Sequence, residues 1–240
     1  MKIFTLLLAL AWLQPVWGWG ADTIKIGEFS AQVAGGTLPA EWKLMPLGNK
    51  KLTRFTLVEN EGKTVVRAES NHAVAALLRE VRVDAKRHAL LRWRWKVENL
   101  LQKSDIHTKQ GDDYPARLYV IFDYDIARLP WPERLKLKLA RVIYGERLPA
   151  IALCYVWDSR APQGTLVDNA FTRLTKMLVV ESGGAKLGLW VDEERNIFED
   201  YRTAFGEDPP PLSGIAIAVD TDNTGERALS YFGDITLAAP

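Results

Sequence analysis

Cysteine is all but missing: Cys154 stands alone in 240 residues. No internal disulfide can form, so a packed core must hold the fold, and a chain of this length can bury enough apolar surface to do so. Membrane-spanning runs are missing too. IFTLLLALAWL over Ile3–Leu13 is too short for a stable anchor, and no later segment is long and apolar enough to span. Neither charge dominates. Residues 1–20 carry Lys2 and no acid, so without them the 31 basic residues become 30 against 30 acidic ones. That balance argues against nucleic acid as the main partner and against broad adhesion to anionic membrane. His72, His88 and His107 lack metal-ligand spacing. There is no Gly-x-Ser-x-Gly turn and no phosphate-cradling glycine loop.

What is present begins with an address. Lys2, the apolar run, Pro15 and then the small residues Gly18, Gly20 and Ala21 have the order of a secretory signal peptide. The expectation is a signal over residues 1–20 and a single exported β-sandwich domain over 21–240.

Period-two alternation is the main structural signal. In Leu91–Val97, Leu91, Trp93, Trp95 and Val97 point one way and Arg92, Arg94 and Lys96 the other. Between Asp113 and Asp123, Ala116, Leu118, Val120 and Phe122 oppose Arg117, Tyr119, Ile121 and Asp123. Further strands are expected at Arg54–Val58, Thr64–Ala68, Leu77–Val83, Ile151–Trp157, Lys176–Glu181, Leu187–Val191, Gly214–Asp220 and Tyr231–Leu237, separated by Gly, Asn and Asp turns. Two helices interrupt them. One opens at Trp131-Pro132-Glu133 and carries a stripe of Leu135, Leu139, Val142 and Ile143; the other spans Glu193–Ala204 and stops at Gly206. The expected fold is an all-β antiparallel sandwich of jelly-roll, galactose-binding-like type with two covering helices.

The words LRWRWKVENL, TKQGDDYPARLYVIFD, CYVWDS, ERNIFEDYRTAFGEDPP and AIAVDTDNTGERALSYFGDI occur in one order. Together they resemble a bacterial family of exported proteins, the domain of unknown function numbered three thousand and forty-seven. The resemblance implies a Gram-negative periplasmic protein of jelly-roll type and hands over no catalytic residues. The closing strand Tyr231–Leu237, with its acid, is similar in pattern to sugar-binding jelly rolls, an analogy of fold alone.

Several groups can carry chemistry. If the strands of Arg94 and Arg117 are neighbours, Arg94, Arg117, Tyr119 and Asp123 share one face. Guanidinium groups there suit a glycan or another polar ligand through two-pronged hydrogen bonds. The bland alternative is a solvated face stitched by Arg–Asp pairs. Asp112 and Asp113 flank its entrance, but adjacent acids on a strand point to opposite faces unless the loop is irregular. Ala152, Gly188, Ala216 and Ala218 share parity with polar neighbours, leaving a hollow or room for a covering helix. Asp220, Asp222 and Thr224 offer oxygens at alternate positions before Gly225, as in the first half of a calcium loop. Tyr231 stands where the closing acid of an EF-hand belongs, so only a looser site, completed by Glu28 or Asp234, is open; otherwise the stretch is a turn. Calcium is thus the one cofactor considered, the other expectation being none. The function expected is a non-catalytic binding module, with a glycan-cleaving enzyme using paired acids, or a module that binds a protein partner, as alternatives.

Overall fold

The computed structural model describes residues 22–144 and 150–240; the expected signal segment lies outside them. The strands among the described residues are β1 (Thr23–Gly27), β2 (Trp42–Pro46), β3 (Arg54–Asn60), β4 (Lys63–Asn71), β5 (Val74–Val83), β6 (Leu90–Val97) and β7 (Ala116–Phe122). After helix α1 (Trp131–Tyr144) come β8 (Ile151–Asp158), β9 (Leu166–Asn169), β10 (Thr172–Ser182) and β11 (Val191–Asn196). Helix α2 (Ile197–Phe205) then leads to β12 (Leu212–Asp220) and β13 (Arg227–Ala238). One sheet runs β11-β6-β13-β4-β3, with β1 also on β13; the other runs β2-β5-β12-β7-β8-β10-β9. All pairs are antiparallel except β8 with β10.

The alternation in β6 is what builds the core. Leu91, Trp93, Trp95 and Val97 are buried between the sheets. Trp93 stacks on Tyr155 of the opposite sheet at 5.3 Å, and Trp95 meets Trp157 at 6.2 Å and Phe232 at 6.5 Å. These aromatics bring large apolar area and specific ring geometry to one layer, which ties the two sheets together. The structure is the jelly-roll sandwich with two helices that the alternation predicts.

Three expectations about elements need correcting. Leu187–Val191 is not a strand: Gly188 sits at φ +71 in a loop, and β11 begins only at Val191. Glu193 and Glu194 belong to β11, and the helix starts at Ile197, capped by the Asn196 side chain, which accepts from Phe198 N and Glu199 N. Its Tyr201 packs on Phe122 at 4.6 Å and closes one end of the sandwich. Among the described side chains of α1, which exclude the stripe's Ile143, Leu137 alone is buried, against Leu129 and Ala150. The stripe of Leu135, Leu139 and Val142 is turned to solvent, so it does not cover the sandwich.

Candidate functional site

Two polar assemblies stand out, and they lie in different sheets. The first surrounds the entrance to β7. Thr108 caps a short 3-10 turn over Lys109–Gly111, its Oγ1 accepting from Gly111 N. A Cβ on Gly111 would stand 2.5 Å from Asp105 N, so the turn closes this tightly only with glycine. Asp112 and Asp113 follow before the strand begins, and this irregular stretch lets both face polar partners. Asp112 accepts both oxygens' bonds from Asn169 Nδ2 at 3.1 Å. Asp113 accepts from Thr224 N at 2.6 Å and Asn223 Nδ2 at 3.3 Å.

Arg117 is the centre of this assembly and is only 2% exposed. Its Nε donates to Asp220 Oδ1 at 2.8 Å and its Nη2 to Asp220 Oδ2; Nη1 reaches Tyr119 Oη at 3.1 Å and Asp112 Oδ1 at 3.5 Å. The guanidinium lies 4.2 Å over the Tyr114 ring. Burial pushes the Asp220 carboxyl up to about 8, against the pull of Arg117, with Asp113 and Asp112 adding to the rise. Asp222 is raised as well, by burial and by Asp113. Asp113, Asp220 and Asp222 each bring an oxygen within 4.8 Å of the others. Thr224 supplies its backbone N–H to Asp113 instead of a ligand, and its buried Oγ1 has no hydrogen-bond partner. Glu28 pairs with Lys25 and Asp234 binds Ser30, so neither completes the loop. Asp113, from β7's entrance, takes that place.

The second assembly is a small, solvent-open recess on the outer side of the β6-containing sheet. Trp190, half-buried just before β11, forms one wall; Arg94, Asn60, Glu61, Lys63, Ser30 and Asp234 converge around it. The register of β13 on β6 shifts between Phe232 and Ile235, placing Gly233 beside Arg94. A Cβ there would come within 2.5 Å of Arg94 Cγ, so Gly233 is what lets Arg94 lie flat on the sheet. Its guanidinium stacks 4.7 Å from the Trp190 ring, and Trp190 Nε1 donates to Asn60 Oδ1 at 3.1 Å. Arg94 Nε is an ion-pair partner of Asp192 at 3.5 Å and makes no hydrogen bond among the described residues. Asp234 accepts at both oxygens from Ser30, at its N (2.8 Å) and at its Oγ.

The single face expected for Arg94, Arg117, Tyr119 and Asp123 therefore does not form. β6 lies between β11 and β13, while β7 lies between β12 and β8. Alternation assigns sides of a strand but not its neighbours. Arg94 joins the recess; Arg117 and Tyr119 join the buried assembly. Asp123 is about half exposed at the rim, paired with Arg82 at 3.3 Å. Ala152, Ala216 and Ala218 do share a face, packed with Leu78, Ile121, Met45 and Tyr119.

A third carboxylate pair was hidden by the helix expected at Glu193. On β11 Glu193 points inward and accepts from Trp95 Nε1 at 3.2 Å. Burial, and then the nearby Glu181, push it up to about 7. The folded chain thus holds this proton from the ordinary 4.5 up to about 7, where the unfolded chain has lost it. Stability must fall as pH rises through that window and level off above it. After allowance for its partial exposure the fall is about 1–2 kcal/mol. Urea unfolding at pH 5 and pH 8 should show this slope, and Glu193→Gln should remove about that much of the fall, leaving the part that the raised Asp220 and Asp222 add over the same range; an unchanged slope in that variant would assign all of it to those groups.

The fold and these sites define a jelly-roll sandwich with one buried ionic assembly and one open polar recess. The chain belongs to the family described as "Protein of unknown function (DUF3047)", whose model matches residues 40–236. Among solved structures, it is similar to a family 29 carbohydrate-binding module complexed with cellulohexaose, at 11% identity, 91% and 93% coverage of the two chains and a TM-score of 0.37. It is also similar to the family 30 carbohydrate-binding module of a Clostridium thermocellum cellulosomal cellulase (13% identity, 90% and 97% coverage, TM-score 0.41). A third is winged bean acidic lectin complexed with methyl-alpha-D-galactose (9%, 91% and 98%, TM-score 0.42). No curated protein matches the chain.

Proposed function

We propose that this protein is an exported, non-catalytic module that binds a glycan or another hydroxyl-rich ligand in the Trp190–Arg94 recess. The observation that carries the reading is the convergence there of a half-buried indole, a flat-lying guanidinium and amide, hydroxyl and carboxylate groups at the outer face of one sheet. Such a mixture of an apolar ring and oriented donors and acceptors is what a sugar's alternating C–H and O–H surface requires. Binding is favoured over cleavage because Asp234 spends both oxygens on Ser30 and Glu61 is paired with Lys96 at 3.1 Å, leaving no carboxyl poised as a general acid. The charge–apolar–small order of residues 1–20 supports delivery to the periplasm of a Gram-negative envelope.

Titration calorimetry against envelope and plant glycans tests it. Trp190→Ala should weaken binding of any responding glycan by about 1–2 kcal/mol, roughly five- to thirtyfold, with the melting midpoint little changed. Unchanged affinity in that variant, or a response that depends on Arg117 instead, would move the site elsewhere.

The buried assembly supports a second component of the same reading, a calcium ion held by Asp113, Asp220 and Asp222. Among the described residues, the cations paired with these four carboxylates are Arg117 and, at 3.7 Å from Asp222, the half-exposed Lys50. The excess of buried negative charge calls for a proton or a cation, and Thr224, whose backbone N–H donates to Asp113, keeps a buried hydroxyl without a hydrogen-bond partner.

A further inference from the structure

The amphipathic helix α1 is built the wrong way round for a cover. Leu137 anchors it to the sandwich, yet Trp131 is 68% exposed, Leu139 57% and Val142 80%, with Leu135 also open to solvent. At 3.6 residues per turn, these four side chains fall within about 80° of one another, a continuous apolar stripe pointing away from the protein. Lys138 borders the stripe on one edge and Lys136 lies beyond it on the other, both exposed. By sequence the helix carries Arg134, Lys136, Lys138 and Arg141 and one acid, Glu133, which pairs with Lys136 at 3.0 Å, for a net charge of +3. The chain as a whole is balanced, so this charge is local.

We propose that α1 docks the protein onto an anionic lipid surface, with the stripe entering the headgroup boundary and the lysines reaching phosphate. An apolar stripe with cations on its flanks and tryptophan at one end suits that boundary, because the long basic side chains can extend to the headgroups while their stems cover apolar surface. A second copy of this chain fits less well. A two-fold contact through the stripe would set one +3 helix against another, and like charges at that distance repel. This docking is independent of the glycan recess, which lies in the other sheet's outer face.

The test uses residues 22–240, which carry every described strand and helix and omit an apolar N-terminal run that would itself bind lipid. Co-sedimentation is measured with phosphatidylcholine vesicles alone and with vesicles holding about one phosphatidylglycerol in four lipids. Binding should appear only on the anionic vesicles and fall at least severalfold when salt is raised to about 0.5 M. The double variant Leu139→Glu, Val142→Glu should lose at least tenfold in partitioning while its melting midpoint stays unchanged, since both side chains are exposed. No binding to anionic vesicles, or binding that the double variant retains, overturns the proposal. So does sedimentation velocity showing a lipid-free dimer that the double variant dissociates, which would assign the stripe to a second copy.

Discussion

Arg117→Ala should cost about 3–5 kcal/mol of stability, the penalty for removing one partner of a buried ion pair. The residue is buried with Asp220 and Asp112, and its Nη2 also donates to the Asp112 carbonyl at 2.5 Å. Alanine would leave Asp220 with Tyr114 N as its remaining donor and open a void against the Tyr114 ring. The position joins β7 to β12 and ties down the loop before β7, so the loss should spread to Asp112 and Asn169. Urea unfolding measures it directly. A double change, Arg117→Leu with Asp220→Leu, should recover much of the loss, because it removes both charges together. If Arg117→Ala costs less than about 1 kcal/mol, the pair is dispensable and the residue is free for ligand work after all.

This outcome also shows where reading the sequence reaches its limit. The core of β6 is legible because that strand has one face on the aromatic layer and one facing out, so burial follows the alternation as far as Trp95 and fails only at Lys96. β7 is harder: Arg117 and Ile121 on its second face are buried as well, and nothing in an alternating string says that an arginine's partners come from β12 and from a loop. The strand β11 is hidden by its composition. Asp192 and Glu194 would read as solvent or as a helix start; in register they stand opposite Arg94 and Arg92, and the cross-strand charges supply what apolar residues usually do. The overlooked strands β1, β2 and β9 are short, and β2 and β9 form the two edges of their sheet, where few side chains need to be apolar. The recess was only half visible. Arg94 is legible by type, but Gly233 matters through a bulge, Trp190 stands in the loop before β11, Ser30 comes from the 3-10 turn after β1, and Asn60 and Glu61 come from the β3–β4 hairpin. For the acidic loop, spacing pointed to Asp220 and Asp222 and missed that Asp113 closes the triangle, since that contact spans more than a hundred residues.

Calcium should raise the thermal midpoint of the protein, and EDTA should return it. With free calcium about a hundredfold above its dissociation constant, mass action contributes about 2.7 kcal/mol, which for a chain of this size is roughly 5–10 °C. Magnesium should do less, because the three carboxylates come from a strand end, a turn and the stretch before β7 and do not impose the octahedron it demands. The pH dependence has a definite sign. Burial raises the Asp220 carboxyl's affinity for a proton, against the pull of Arg117, so protons compete with a cation there; calcium affinity should rise with pH and weaken as pH falls. Asp222→Asn separates this from the ion pair beside it. Among the described residues Asp222 makes no hydrogen bond or ion pair to Arg117 and pairs with half-exposed Lys50, so the variant should keep its fold and lose the calcium shift. Identical midpoints in millimolar calcium and in EDTA would mean that the proton alone neutralises the cluster. In that case Asp113, Asp220 and Asp222 serve only to hold β12 and the 221–225 turn against the entrance of β7.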